Sequence, residues 1–322
     1  GTEIFSLQCN DATCSTDVEI LLVEDGTDSD TFVGVFTVPD DWGEDMEVGY
    51  RDTRDSTGTA SIYYDTATIG STTGTISLDS QVYPTPFGKS GTSGCADVSS
   101  TAYCGLKNGD ATDYTSLSLG TVTVTVSVTD PDFTGDTMSA SGGLVTLRLI
   151  TAGDNDIIFT AGDTKANALA NDGILGPLTE TAQGSNVYEL SVSINQAVTP
   201  KDDSTAHYVL GGSTVLQAQY ADARGDAGIA ATVYDSATFD LRNGSLTTDK
   251  SVYVIGQTMV ITLTDPDLDL DSATAETYNL GLIEWDSSAD GSELMNTAAF
   301  TGNPTNLEET GDGTGVFQTT VD

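Results

Sequence analysis

The sequence predicts an all-β protein, on three observations. Thr, Ser, Gly and Val are abundant in the 322 residues; Thr and Val suit pleated, half-buried surfaces, while Gly, Asp and Asn suit turns. Stretches such as "TVTVTVSVTD" (121–130) and "QTMVITLTD" (257–265) alternate apolar and polar residues with period 2. These stretches are short and bounded by turn residues, and the one hint of helix is "TKANALAND" (164–172).

Charge narrows the function classes. Lys and Arg total 10 against 49 Asp and Glu, a net charge of −39. Such a surface repels nucleic acid and anionic membranes and attracts cations. The acids are scattered through alternating apolar segments rather than gathered in blocks, so the chain reads as folded and acidic, not as a disordered tail. The plain reading is an acidic surface kept soluble in salty water; the specific one is cation handling. No stretch approaches the roughly 18 apolar residues of a membrane span.

Self-comparison sets the organisation. Residues 50–83 align without a gap on residues 220–253, an offset of 170. Tyr50 meets Tyr220, Asp52 meets Asp222, Arg54 meets Arg224 and Gly58 meets Gly228. Tyr64–Asp65 meets Tyr234–Asp235, and Val82–Tyr83 meets Val252–Tyr253. Residues 121–133 align on 256–268 at an offset of 135, so 35 residues are inserted in the earlier copy. A looser match joins residues 24–38, 179–194 and 308–321, each with acids, then Gly or Thr, then an apolar strand.

One repeat reads in order as follows. "LTTDKSVYV" (246–254), "QTMVITLTD" and "YNLGLIEWD" (278–286) are strands, and a Gly/Asn/Pro-rich connection leads to "GVFQTTV" (315–321). The earlier copy supplies "MEVGYRD" (46–52) and "TASIYYDTATI" (59–69). About seven short strands with turn signals between them predict tandem immunoglobulin-like β-sandwich domains. The chain then divides into the back half of one repeat (1–70), a complete repeat (71–241) with an insertion at 84–118, and the front half of the next (242–322). Half a sandwich exposes a core face and strand edges. Neighbouring domains, or half-domains from adjacent chains, must complete it; both imply a multidomain array.

The four cysteines form two close pairs, Cys9 with Cys14 and Cys95 with Cys104. Neither spacing is CxxC, and His207 is the one histidine, which argues against zinc. Local disulfides in an oxidising, extracellular setting are the economical reading, the second tying the insertion into a surface loop. With Gly1 first and no signal peptide, the chain reads as a mature or excised segment.

"SLTTDKSVYVIGQTMVITLTDPDLD" and "NLEETGDGTGVFQTTV" resemble the repeated segments of surface-layer proteins from ammonia-oxidising archaea. The motifs fall on Lys250 to Tyr253, Gly256 to Asp267 and Glu309 to Phe317. The earlier copy departs from them at Gln81, Pro84 and the insertion. The resemblance implies strings of immunoglobulin-like domains that tile the cell surface as a porous two-dimensional lattice. It implies a homo-oligomer, an extracellular location and a structural role.

The chemistry sits on the acids. Pro266 lacks an N–H and so suits a strand end, and it holds Asp265 extended. The flanking carboxylates then emerge where a next domain docks. Calcium takes six to eight oxygens, which makes Asp265, Asp267 and Asp269 candidate ligands, with Asp130 and Asp132 in the other copy. The alternative is that these aspartates cap turns and face water. Asp265, Asp267, Asp269, Asp271 and Glu276 have EF-hand spacing, but Leu270 stands where the sharp turn needs Gly and a strand precedes the loop, which argues against that motif. "VPDDWGEDMEV" (38–48) and "EDGTDSD" (24–30) read as solvated loops. A surface potential of about −30 mV enriches monovalent cations about threefold, so a lattice of such domains forms a cation-enriched sieve that admits ammonium. Arg54 and Arg224 read as partners of nearby aspartates, and Tyr64 and Tyr234 as packed residues. Asn243 heads the one N-x-S/T sequon and is a glycosylation candidate.

Enzyme chemistry has little to stand on. There is no Gly-x-Ser-x-Gly, His-Glu-x-x-His or phosphate loop, and 49 acids make chance carboxylate pairs unavoidable. The alternative to a surface-layer segment is an extracellular adhesin or carbohydrate-binding module on the same sandwiches. That reading needs an aromatic platform, and Trp42 and Trp285 are the only tryptophans.

Overall fold

The computed structural model describes residues 6–9, 22–36, 38, 42–43, 45–86, 120–138, 144–151, 154–161, 174–195, 197–198, 207–209, 211–226, 228–288, 291–295, 304 and 306–321. Cys14, Cys95, Cys104, the helix expected at 164–172 and nearly all of the insertion lie outside the described residues, and Cys9 is described as backbone alone. The chain is all-β, with one 3-10 turn at Leu280–Leu282 among the described residues. It forms two compact units: Gly1–Thr73 with Ala223–Ala231, and Gly74–Asp222 with Thr232–Asp322.

In the first unit, β1 (Ser6–Cys9) is followed by the short strands β2 (Val23–Glu24) and β3 (Phe32–Val33). β4 (Asp45–Asp52) and β5 (Ser61–Thr68) then complete a three-stranded sheet of order β1-β4-β5. The hairpin between β4 and β5 turns on Asp55. Its carboxylate accepts the Ser61 hydroxyl at 2.6 Å, the Thr57 hydroxyl at 2.6 Å and the Thr57 N–H at 2.8 Å, which hold it well below the usual carboxylate range. Gly58 and Gly228 occupy the same place in the two copies, at φ of +80° and +66°, and each donates its N–H three residues back. At Gly228 the ring of Trp42 lies where a Cβ would be, so only glycine fits.

The second unit opens with β6 (Thr75–Leu78), β7 (Val82–Pro84), β8 (Val122–Thr129), β9 (Thr137–Met138), β10 (Val145–Thr151) and β11 (Asp154–Ala161). There follow β12 (Ile174–Leu175), β13 (Leu178–Glu180), β14 (Val187–Ile194), β15 (Ala197–Val198), β16 (His207–Tyr208), β17 (Thr214–Asp222) and β18 (Ala231–Asp240). A five-stranded sheet, β6-β8-β14-β13-β9, and a six-stranded sheet, β12-β11-β10-β17-β18-β7, share one core. The valines of the 121–130 alternation, Val122, Val124, Val126 and Val128, are fully buried in it. Leu147, Leu216, Ala218, Tyr220 and Phe239 meet them from the other sheet. Removing this apolar area from water is the main force holding the layers together.

The remaining strands are β19 (Ser245–Thr248), β20 (Met259–Thr264), β21 (Thr277–Asn279), β22 (Glu284–Ser287), β23 (Gly291–Leu294), β24 (Asn306–Glu309) and β25 (Val316–Val321). Their sheet order, β19-β20-β25-β24-β21, repeats that of β6-β8-β14-β13-β9 strand for strand. β22 and β23 form a separate hairpin, and a second core gathers Ile261, Leu268, Leu280, Ile283, Met295, Leu307, Phe317 and Val321.

Two expected strands are broken, each by a side chain that offers the backbone another partner. The stretch 246–254 ends as a strand at Thr248. There the Asp249 carboxylate accepts the Tyr253 hydroxyl at 2.6 Å and the Val260 N–H at 2.9 Å, turning the chain. Asp79 does the same with the Tyr83 hydroxyl and the Thr125 N–H, which sends the chain from one sheet to the other. The recurring Asp-x-x-x-Tyr pattern is therefore a folding device. The stretch 278–286 is interrupted by the 3-10 turn, capped by Asn279, whose side-chain oxygen accepts the Gly281 N–H.

Acidic hairpins recur three times. Glu24, Glu180 and Glu309 each accept backbone N–H groups from the turn that follows: Ser29, Asn186 and Gly315 at 2.9, 2.9 and 2.7 Å. The turns carry positive φ at Asp28, Gly184 and Gly313 and again at Asp30, Asn186 and Gly315. Asp, Asn and Gly tolerate that conformation best.

The sheets of the sandwich are also tied by polar groups. Asp130 is buried, and its Oδ2 accepts the Tyr220 hydroxyl at 2.5 Å. Burial, with Asp132 alongside, pushes its carboxyl up to about 6. Tyr220→Phe removes that donor. The expected cost is about 1–3 kcal/mol, read as a lower urea midpoint at unchanged m-value; an unmoved midpoint contradicts this role.

Candidate cation site

Residues 265–276 leave β20 and strap the two cores of the second unit together. The Asp265 Oδ1 accepts the Asp267 N–H at 3.1 Å, as Asp130 does from Asp132 at 3.2 Å, so Asp-Pro-Asp is a side-chain-stabilised turn in both copies. Leu268 then enters the second core and Leu270 packs against the first. The Leu270 carbonyl accepts the Thr123 N–H at 2.8 Å, and the Ser272 hydroxyl donates to Asp79 Oδ2 at 2.5 Å. The alternating leucines are thus spent on two different cores, and the aspartates between them are held close to protein rather than in open water.

These aspartates have different fates. Asp267 is taken by Arg242: the Arg242 backbone N–H donates to Oδ2 at 2.7 Å and its Nε to Oδ1 at 3.3 Å. Arg242 Nη2 also donates to the Pro266 carbonyl at 2.6 Å. Asp271 caps its own turn by accepting the Ala273 N–H at 3.1 Å. Asp269 turns towards Glu276 and Glu309, and one oxygen from each of the three lies within 4.8 Å of the others.

The three carboxyls are unequal. Glu309 is buried at the head of the 309–316 hairpin. Its Oε1 accepts the Thr314 and Gly315 N–H groups, both at 2.7 Å, and its Oε2 accepts the Glu276 N–H at 3.0 Å. Burial works against its ionisation, but these hydrogen bonds and one from the Glu276 carboxyl hold its pKa below the ordinary value. Glu276 Oε1 accepts the N–H groups of Leu270 and Asp271 at 3.1 and 2.7 Å. Burial and the hydrogen bond to Glu309 push the Glu276 carboxyl up to about 8. Burial also raises Asp269, with Glu309 adding to the effect. Asp269 Oδ1 and Glu276 Oε2 are buried and accept no hydrogen bond. Two carboxyls in contact need a shared proton or a cation between them, because burying like charges together is costly. The donor set is all oxygen, which suits a hard cation such as calcium rather than zinc.

Of the sequence candidates, Asp269 alone joins this cluster. Asp265 and Asp267 stand beside it, with Asp267 engaged by Arg242, and Asp130 and Asp132 form the matching turn in the sandwich. Glu276 and Glu309 were legible as an EF-hand-spaced acid and as the first residue of a repeated motif, but their convergence depends on the fold. In the sandwich the corresponding positions are Thr134, Asp136 and Glu180, with five fewer residues between the first two. Asn243 is exposed in the connection before β19, so its side chain is accessible to modification. No protein-family model matches the chain, and no curated protein matches it.

In the metal-free protein the folded state holds a proton on Glu276 that the unfolded chain has released above the ordinary glutamate range. The unfolded state therefore binds fewer protons than the native state, and stability falls as pH rises towards about 8. Thermal melts of chelated protein should show this decline, and Glu276→Gln should flatten it. An equal decline in the variant counts against a proton on Glu276.

Proposed function

We propose that this chain is a structural segment of a cell-surface array, built of tandem immunoglobulin-like sandwiches and stiffened by divalent cations. It has no catalytic role in this reading. The observation that carries the cation component is the Asp269–Glu276–Glu309 cluster, with two buried carboxylate oxygens lacking donors, on the loop that joins two hydrophobic cores. Calcium at that place, completed by backbone carbonyls or water, removes the repulsion and locks the strap. The array component rests on the strand-for-strand recurrence of one sheet and on the motif resemblance to archaeal surface-layer proteins. The net charge of −39 then makes the array a diffuse cation reservoir in which ammonium collects beside the cell and anions are repelled.

Calcium should raise the melting temperature, by the equivalent of about 2.7 kcal/mol at a hundredfold excess over Kd. Asp269→Asn should remove most of that shift while leaving the calcium-free melt nearly unchanged. Glu309→Gln should remove the shift and also lower the calcium-free melt, because Glu309 caps its hairpin. A full shift in Asp269→Asn overturns the site. Electron microscopy of purified protein with calcium should show two-dimensional sheets; saturable sugar binding without sheets favours a carbohydrate-binding module.

A further inference from the structure

We infer that the β4–β5 hairpin of one copy docks on the β19–β20 sheet of a second copy, rebuilding between chains the sandwich that residues 74–240 build within one. The partner is a second copy of this chain, recognised by strand addition and by three side-chain hydrogen bonds.

The sandwich supplies the template. Three side-chain links join its six-stranded sheet to the β6–β8 side, and a fourth, strand pairing, lies within the six-stranded sheet. Tyr220 donates its hydroxyl to Asp130 at 2.5 Å, and Asp222 Oδ2 accepts the Gly74 N–H at 2.9 Å. Asp235 Oδ2 accepts the Leu78 N–H at 2.8 Å. Residues 238–240 of β18 run parallel to residues 82–84 of β7.

Every partner recurs on the two half-repeats, but split between them. At the 170-residue offset, β17 and β18 correspond to β4 and β5, so Tyr220, Asp222 and Asp235 become Tyr50, Asp52 and Asp65. Gly74, Leu78 and Val82–Pro84 become Gly244, Thr248 and Val252–Val254, while the 135-residue offset turns Asp130 into Asp265. Local geometry is already in place. Asp65 Oδ1 accepts the Thr66 N–H at 3.0 Å, as Asp235 Oδ1 accepts the Ser236 N–H at 2.8 Å, which leaves Oδ2 to reach across. The Asp265 turn matches the Asp130 turn.

Burial shows what is missing. Tyr220 is 1% exposed and its counterpart Tyr50 is 39% exposed; Ile76 is 8% exposed and its counterpart Leu246 is 52%. Val254, in the place of buried Pro84, is 66% exposed. Seven of the eight β5 residues are exposed, and β5 lies at the edge of its described sheet. An exposed apolar face beside an open strand edge is a template for adding another chain's strand. The same surface pattern on both halves, each missing what the other carries, selects a second copy. The contact joins unlike surfaces of two copies and is therefore heterologous.

This docking rests on the repeat architecture and not on the cation site, so it is tested with calcium and with chelator, at an ionic strength high enough to screen the −39 charge. Sedimentation velocity should show association that grows with concentration. Leu246→Asp, at a position already exposed, should weaken it at least tenfold with an unchanged circular dichroism spectrum, and Asp65→Ala should weaken it through the lost bond to Thr248. Thr68→Cys and Val252→Cys, made in separate preparations and mixed under mild oxidation, should give a disulfide joining positions 68 and 252, identified by peptide mass spectrometry. A wild-type protein that stays monomeric at all concentrations overturns the docking. So do oligomers that are insensitive to Leu246→Asp and never link 68 to 252. At that ionic strength salt already screens the repulsion, so loss of calcium binding leaves these results unchanged and touches the cation reading alone.

Discussion

The constraint on which the rest of the structure depends is the shortage of cations. With 49 acids and 10 basic residues, most carboxylates must be satisfied without an ion pair. They turn to backbone N–H and hydroxyl groups instead. Asp55 and Asp249 fix turns, Asp79 sends a strand from one sheet to the other, and Glu24, Glu180 and Glu309 close hairpins. Asp130 and Asp235 tie one sheet to the other. Hydrogen bonds to charged groups are stronger than neutral ones, so the acids that give the surface its charge also shape the fold. Arg242, one of the few cations, is spent on Asp267 beside the acidic cluster and not within it.

That division of labour explains why the cluster is unusual. An acid facing a row of N–H groups is stabilised as the anion, as Glu309 is. Glu276 has its two N–H donors on one oxygen, and its other side meets Glu309 and Asp269. No described backbone donor reaches Asp269 Oδ1 or Glu276 Oε2. The place is therefore one where hydrogen bonding has run out, and a proton or a metal ion is the remaining way to balance charge. Leu268 and Leu270 bring it there, because burying each leucine in a different core fixes the path of the chain between them.

The fold class was legible because period 2 and turn chemistry are local. Val122 to Val128 read directly as an inward row, and they are one. The repeat offsets carried more: the copies they align form two sheets with the same strand order, an order that the sequence alone does not state. Strand ends were less legible, since Asp249 and Asn279 break strands through side chains whose partners lie elsewhere in the fold. The same holds for the site. Asp269 drew attention by its spacing, yet spacing along the chain also singled out Asp265 and Asp267, which the fold uses for a turn and an ion pair. Glu309 is 33 residues beyond Glu276, and only the pairing of β21 with β24 brings them together.

The two readings of this chain, as a cation binder and as a self-completing repeat, meet in electrostatics. A copy that carries −39 repels another, and a docking face must overcome that repulsion. The face inferred for docking is apolar at Leu246, Val252 and Val254. Its acids, Asp52, Asp65 and Asp265, each have an N–H or O–H donor assigned opposite them, so few unpaired charges are buried on contact. The repulsion that remains is long-ranged and is weakened by bound divalent ions and by salt. A cation bound on the strap directly after β20, whose sheet the second copy would cover, would lower charge where the copies meet. The surface beyond keeps its negative potential towards solvent. In the proposed array, apolar contact and hydrogen bonds would hold the copies together, and mobile cations would set how closely they approach.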